Sequence, residues 1–195
     1  MRFHLPCVIF AGGKSSRMGR DKALLPFGGC QTLAEYQYRR LLPLFSRLYI
    51  STKTDKFPFD APLILDREAK DLHAPTAGLL AAFEAIGGDF FAISVDTPFV
   101  DEKVMERLVE VYTQKQVDAV VARSPGGTHP MCGIYTMRLL PRLREMVEEG
   151  MHRLNHLLRV SDTRFVDFPD DAPFFNMNTP AEYAEGKERG SGKKP

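Results

Sequence analysis

The run DFFAISVD, Asp89 to Asp96, stays apolar without alternation until it closes on an acid. A strand with one wet face alternates polar and apolar residues. A continuous run suits a strand covered on both faces, as in a parallel sheet between helices. Just upstream, Leu79, Ala82, Phe83 and Ile86 fall at helical spacing within Thr76 to Ile86, and Gly87-Gly88 stops the pattern. Just downstream, DEKVMERLVEVYTQ from Asp101 carries Val104, Leu108 and Val111 on one face. Further out the same alternation continues. CVIF (Cys7–Phe10), RLYIST, APLILD, VDAVVA, THPMCGIYTM and TRFVDF read as strands. TLAEYQYRRLLPLF (from Thr32), Leu139 to Gly150, and Arg153 to Val160 read as helices. This order predicts an α/β fold, a single-domain three-layer α/β/α sandwich with a Rossmann-like, mostly parallel, doubly wound sheet. Residues 1–185 make the domain, and the polar, basic, Gly-rich residues 186–195 are expected to be a disordered tail.

Composition narrows the partners. The 195 residues are 44% hydrophobic and 26% charged, as in soluble globular chains. A formal net charge of +1 supplies no global field toward nucleic acid or membranes, so any anion site is local. The three cysteines, Cys7, Cys30 and Cys132, form no C-x-x-C, which points to neither zinc nor a disulfide framework. No apolar run approaches the ~20 residues of a membrane span, and the N-terminus lacks a signal-peptide pattern, so a cytoplasmic location is expected.

Directly after CVIF comes AGGKSSRMGRDK, Ala11 to Lys22. Its GGKS is not the end of a P-loop, because that motif requires glycine where Val8 stands. The G-x-G-x-x-G fingerprint fails too, since Gly12 and Gly13 are adjacent. What remains is a glycine-rich loop carrying Lys14, Arg17, Arg20 and Lys22. Glycines admit close backbone approach to a ligand, and clustered cations neutralise a polyanion. A solvated basic loop has the same composition.

In open α/β sheets ligands bind beyond the carboxyl ends of the strands. The glycine loop, Asp66 after LIL and Asp96 after FFAISV all fall there. An acid beside a cationic loop suits a magnesium–polyphosphate site, since Mg²⁺ binds through one or two carboxylates plus phosphate oxygens. Each residue also has a structural alternative. Asp96 before Thr97-Pro98 has the form of an N-cap, and Asp66 of the start of a polar loop. His129 before Pro130, and Asn176 and Asn178, have the form of turn or cap residues. NTPAEY reads as a helix start, with Thr179 capping, Pro180 first and Glu182 three residues on. His4, His73, His152 and His156 show no metal-ligand spacing, so zinc is not expected. Ser15 and Ser16 have no evident histidine partner in sequence. Nucleotidyl transfer needs none, because the substrate supplies the nucleophile.

The spacing of FAGGKSSRMGRDKALLPFGG closely resembles the L-A-G-G-x-S-x-R-M-G-x-D-K signature of nucleotidyltransferases with the sugar-nucleotide-transferase fold. Within these the chain is similar to the molybdenum cofactor guanylyltransferase (MobA) family. PTAGLLAAFEA, SVDTPFV, THPMCGIY, GMHRLNHLLR and FFNMNTPAEY follow in the family's order, so the resemblance covers nearly the whole chain. It implies that backbone at Phe10, Ala11, Gly12 and Gly13 holds the base, and that Arg17 and Lys22 embrace the triphosphate. It places Asp66 near the nucleotide, Asp96 on Mg²⁺, and Asn176 and Asn178 at the catalytic end. Lys22, Arg17 and Asp96 are the implied catalytic residues. His129, Arg153, Asn176 and Asn178 are the implied neighbours of the acceptor, and Asp21 orients the loop.

There are departures. Phe10 replaces a Leu, Ser94 a small residue or cysteine, and Thr76 the Leu of a P-L-A-G segment associated with base choice. Gly12 favours guanine, since cytidylyl relatives tend to A-A-G. The implied activity is Mg²⁺-dependent transfer of GMP from GTP to molybdenum-bound molybdopterin, giving the guanine dinucleotide cofactor and pyrophosphate. Transient contacts with other cofactor-biosynthesis proteins are implied, and none with nucleic acid or membrane. The alternatives are a CTP-using cytidylyltransferase, or another nucleotidyltransferase of this fold, and a non-enzymatic cofactor-delivery or nucleotide-sensing protein.

Overall fold

The run Asp89 to Asp96 supplies β4 (Phe90–Ser94), and Phe90, Phe91, Ala92 and Ile93 are each 0% exposed. Successive residues enter different cores, as the pleat requires. Phe91 and Ile93 pack into one cluster with Leu33, Leu41, Met105 and Leu108; Phe90 and Ala92 pack into the other with Leu79, Phe83, Leu143 and Leu157. The protein is seen in a computed structural model that describes residues 3–12, 18–66 and 75–191.

The other strands are β1 (Cys7–Phe10), β2 (Leu48–Thr52), β3 (Leu63–Leu65), β5 (Ala119–Ser124), β6 (Gly127–Tyr135) and β7 (Thr163–Asp167). The helices are α1 (Leu33–Leu41), α2 (Pro75–Ile86), α3 (Glu102–Gln114), α4 (Leu140–Glu148), α5 (Leu154–Val160) and α6 (Pro180–Gly190). The strands form a 7-stranded sheet in the order β3-β2-β1-β4-β6-β5-β7. All described pairings are parallel except those of β6, which runs antiparallel to both β4 and β5. The predicted α/β sandwich with a mostly parallel sheet is the one observed. The direction of β6 follows from the short Pro125-Gly126 connection, because a tight turn can only return the chain antiparallel.

The β5–β6 ladder breaks once. Val121 faces Gly133, but the next residue, Ala122, faces His129, so Pro130, Met131 and Cys132 bulge away from β5. Pro130 cannot donate to a ladder, and a bulge accommodates it. Beyond the bulge the strands close tightly: a Cβ at Gly133 would lie 2.4 Å from Val120 O.

The C-terminal expectation needs correction. α6 begins with the predicted Thr179–Glu182 capping box and Pro180, but it continues to Gly190. Residues 186–190, expected in a disordered tail, are therefore helical; residues 192–195 lie outside the described residues. The glycines misled because each costs about 1 kcal/mol in a helix interior. Here they are points of contact. A Cβ at Gly186 would sit 2.3 Å from Met177 Sδ, and one at Gly190 2.8 Å from the Phe27 ring. Tyr183 Oη also donates to Pro26 O. Among the described residues no helix is long and apolar enough to cross a membrane. Cys7, Cys30 and Cys132 are free and buried.

Candidate active site

β1 and β4 are neighbours and parallel, so their carboxyl ends open on one edge of the sheet. Asp96 stands just past β4, and the residue is only 5% exposed. It does not cap α3: Asp101 does, accepting from Val104 N–H at 3.0 Å. Asp96 instead accepts from Ser94 Oγ at 2.5 Å through Oδ1 and from the Lys22 ammonium through Oδ2. Lys22 also donates to Asn178 Oδ1 at 2.8 Å. Met177 N–H donates to Asp96 O at 3.1 Å, which ties the Asn176-Met177-Asn178 segment to the strand end. Residues far apart in the chain thus converge on one buried carboxylate.

The strand end is held from beneath. Gln37, on α1 and 0% exposed, donates through Nε2 to Ser94 O (3.2 Å) and Val95 O (3.3 Å). Arg40 donates to Gln37 Oε1 from Nε (2.9 Å) and Nη2 (2.7 Å), and to Val100 O from Nη1 (2.7 Å). Buried polar groups are costly unless paired, and this network pairs them while fixing the backbone that carries Asp96.

Lys22 opens a single 3-10 turn, Lys22–Leu24, capped by Asp21. Asp21 Oδ1 accepts from Ala23 N–H at 3.0 Å, and Oδ2 accepts from Lys56 Nζ at 2.5 Å. Lys56 also donates to Ala11 O at 3.1 Å, so it clips the start of the glycine loop to the turn that presents Lys22. Asp21 thus caps the turn that carries Lys22 and pairs with Lys56.

Across the opening stands His129, just before the β6 bulge. Its ring is stacked on Phe174, centroids 4.1 Å apart and planes 10° from parallel. Its Nε2 lies 2.6 Å from Ser124 Oγ, and Ser124 donates to Asp171 Oδ1. Burial holds the imidazole below its ordinary pKa, opposed by the nearby Asp171 carboxylate. Asp171 is held below the usual carboxylate range by the hydrogen bonds from Ser124 and Gly126 N–H. Between the two sides lies a cavity of about 210 Å³ lined by Ser94, Asp96, Thr97, residues 128–132, Phe174, Asn176 and Asn178. Cys132 lines it as a neutral thiol, since burial pushes its pKa up to about 12. Asp171 contacts the serine and not the histidine, so Ser124–His129 is not a nucleophilic triad.

Of the residues expected to act, Lys22, Asp96 and Asn178 are in direct contact, and His129 and Asn176 line the same cavity. Asp66 follows β3 at the same edge, two strands from β1, with its N–H donated to Thr52 O. Arg153 is exposed at the start of α5 and does not line the cavity. Ala11 donates its N–H to Ser51 O, its carbonyl accepts from Lys56, and Phe10 O accepts from Val95 N–H. That backbone is engaged, whereas Gly12 is exposed and a Cβ there would meet no described atom within 4 Å. The Phe10 ring packs on Gly78, where a Cβ would come within 3.3 Å of it. Thr76 is 0% exposed and its Oγ1 lies 2.9 Å from His152 Nδ1. Gly13 and Arg17, with Lys14, Ser15, Ser16 and His73, lie outside the described residues.

Sequence reasoning missed Ser94, Gln37, Lys56, Ser124 and Asp171. Only Ser124 carried a signal: a short hairpin turn brings residues just before and after it close together, here as the diagonal neighbours Ser124 and His129. Among the described residues no group of three or more His, Cys, Asp or Glu side chains could hold a metal by itself.

Comparison with known proteins bears on the family and the fold. The profile of one family, the MobA-like NTP transferase domain, matches residues 7–165. A molybdenum cofactor guanylyltransferase of Campylobacter jejuni is 32% identical over 94% of this chain and 95% of its own length. One from Helicobacter pylori is 33% identical over 92% of this chain and 90% of its own. The crystal structure of molybdopterin-guanine dinucleotide biosynthesis protein A from Archaeoglobus fulgidus superimposes with a TM-score of 0.83. It covers 96% of this chain and 99% of its own, at 20% identity, which speaks to the fold alone.

Proposed function

Because the chain belongs to the MobA-like NTP transferase family, we propose that it transfers GMP from GTP to the terminal phosphate of molybdenum-bound molybdopterin. The products are molybdopterin guanine dinucleotide and pyrophosphate. The observation that carries the reading is the convergence of Lys22, Asp96 and Asn178 on one point at the carboxyl ends of β1 and β4.

The acceptor phosphate is ionised at neutral pH, so it attacks the α-phosphorus without a general base. The new P–O bond forms as the bond to the β-phosphate oxygen breaks, and its electrons leave with pyrophosphate. Lys22, reaching from its capped turn, and Arg17, by its place in the motif, stabilise the charge that builds on the leaving group. Gly12, exposed and with no described atom where a Cβ would sit, leaves room for the base. His129, Phe174 and Asn176 wall the acceptor side.

A divalent cation fits this site. The oxygens of Asp96 and Asn178 already share one cation, the Lys22 ammonium, and hard oxygen donors without histidine or cysteine suit Mg²⁺ completed by phosphate oxygens. Asp96, with Asn178, would hold it, and once bound it would supply charge neutralisation and alignment of the phosphates. Transient contact with the proteins that make and receive the cofactor follows from such a reaction.

Binding of GTP, CTP, ATP and UTP, each with and without Mg²⁺, tests the nucleotide assignment. Preference for GTP that weakens without Mg²⁺ supports it. Preference for CTP moves the protein to the cytidylyl branch, and absence of any binding removes the enzymatic reading.

A further inference from the structure

Ser124 joins two partners, Asp171 Oδ1 and His129 Nε2, with a hydroxyl that owns a single proton. A carboxylate can only accept, so that proton goes to Asp171. The Ser124 oxygen must then accept from His129, which puts the ring proton on Nε2. Gly126 N–H donates to the same Asp171 oxygen at 2.8 Å, which keeps the carboxylate in place and ionised. Among the described residues no partner for Nδ1 is found, and the ring borders the cavity beside Asp96. Face-to-face stacking on Phe174 holds the ring plane.

We propose that Ser124 and Asp171 are positioning residues that hold His129 as its Nε2–H tautomer, so that Nδ1 accepts a hydrogen bond from an N–H or O–H group of the acceptor substrate. The inference rests on the placement of the acceptor in this cavity. It also orients that substrate. A neutral nitrogen lone pair repels an anionic oxygen, so the acceptor phosphate lies toward Lys22 and Asn178. The flat, uncharged, donor-bearing part of the acceptor lies against His129 and Phe174. Burial, which disfavours the imidazolium, agrees with a neutral ring.

The bland alternative is a clip that merely closes the β5–β6 hairpin. A clip would matter to stability and would be indifferent to which ring nitrogen carries the proton. Two readouts separate the ideas. Two-bond ¹H–¹⁵N correlation spectra of the uniformly labelled, ligand-free protein report the tautomer directly. The expected result is Nε2–H for His129 in the wild type, with Nδ1–H appearing in Asp171→Ala, where Ser124 is free to donate to the ring. Steady-state kinetics with GTP and molybdopterin form the second readout. In Ser124→Ala and Asp171→Ala, KM for molybdopterin rises about tenfold, the effect of losing one well-placed hydrogen bond, while KM for GTP is unchanged. Ser124→Thr, which keeps the hydroxyl, restores it. An Nδ1–H wild-type tautomer, or a molybdopterin KM unmoved in both variants, overturns the inference. Should the wild type transfer nothing to molybdopterin, the acceptor assignment fails, and the spectra still decide the tautomer.

Discussion

Ser94 Oγ donates to Asp96 Oδ1 at 2.5 Å, so the last residue of β4 orients the carboxylate two positions on. The other carboxylate oxygen is left to cations. A hydrogen bond to a charged group is worth about 1.5–3 kcal/mol. Ser94→Ala is expected to fold normally and to lose about 10-fold or more in kcat, because a carboxylate free to rotate no longer meets Lys22 and the phosphates in one geometry. Circular dichroism and steady-state kinetics check it. Unchanged kcat would remove Ser94 from the account.

Lys22 is the cation that Asp96 and Asn178 share. Lys22→Ala is expected to cost about 10²-fold or more in kcat by removing one charge contact in the transition state. Lys22→Arg recovers little, since the planar fork does not replace a compact ammonium between two oxygens.

Gly12 offers an unusually clean test of base choice. A Cβ there meets no described atom within 4 Å, so Gly12→Ala leaves the melting temperature unchanged. What changes is the space offered to the base, and the ratio of GTP to CTP affinity is expected to fall. A variant with wild-type selectivity would remove Gly12 from recognition.

Gly186 acts at a distance. Its absent side chain leaves room for Met177, whose N–H holds Asp96 O. Gly186→Val is expected to destabilise by about 1–3 kcal/mol through overpacking. Its kcat is expected to fall as well, as the Asn176–Asn178 segment moves. Chemical denaturation and kinetics on the same preparation check both.

His129 gives a pH signature. Burial lowers its pKa, so between that folded value and the unfolded value of about 6.5 the unfolded chain binds more protons. Stability contributed by the neutral ring is present above about 6.5 and is lost as pH falls through the folded value. The melting temperature of the wild type should therefore drop more steeply than that of His129→Gln as the pH falls below about 6.5.

Much of this molecule can be read from sequence, and the limits have physical causes. The unbroken apolar run of β4 and the helical spacing of α2 and α3 set the three layers, because burial on two faces or one leaves a period in the residues. Asp96 stood out because it closes the apolar run of β4, Lys22 because it belongs to the basic glycine-rich loop, and Asn178 only through the family resemblance. Ser94 carried no such mark. Its role depends on a side-chain rotamer two residues from the acid, and serine there looks like any small strand residue. Lys56 and Asp171 join the site through contacts 35 to 47 positions away in the chain, which local pattern cannot show. Gly186 and Gly190 were misread for the opposite reason. Their composition suggests a tail, and only the packing of α6 on Met177 and Phe27 reveals why glycine is needed there.

The most direct test of the account supplies GTP labelled at the α-phosphate, molybdenum-bound molybdopterin and Mg²⁺, and follows the label and pyrophosphate together. The expected result is label in molybdopterin guanine dinucleotide with one pyrophosphate released per product, and near-complete loss in an Asp96→Asn variant that keeps its fold. Label that stays in GTP, or full transfer by Asp96→Asn, would contradict it.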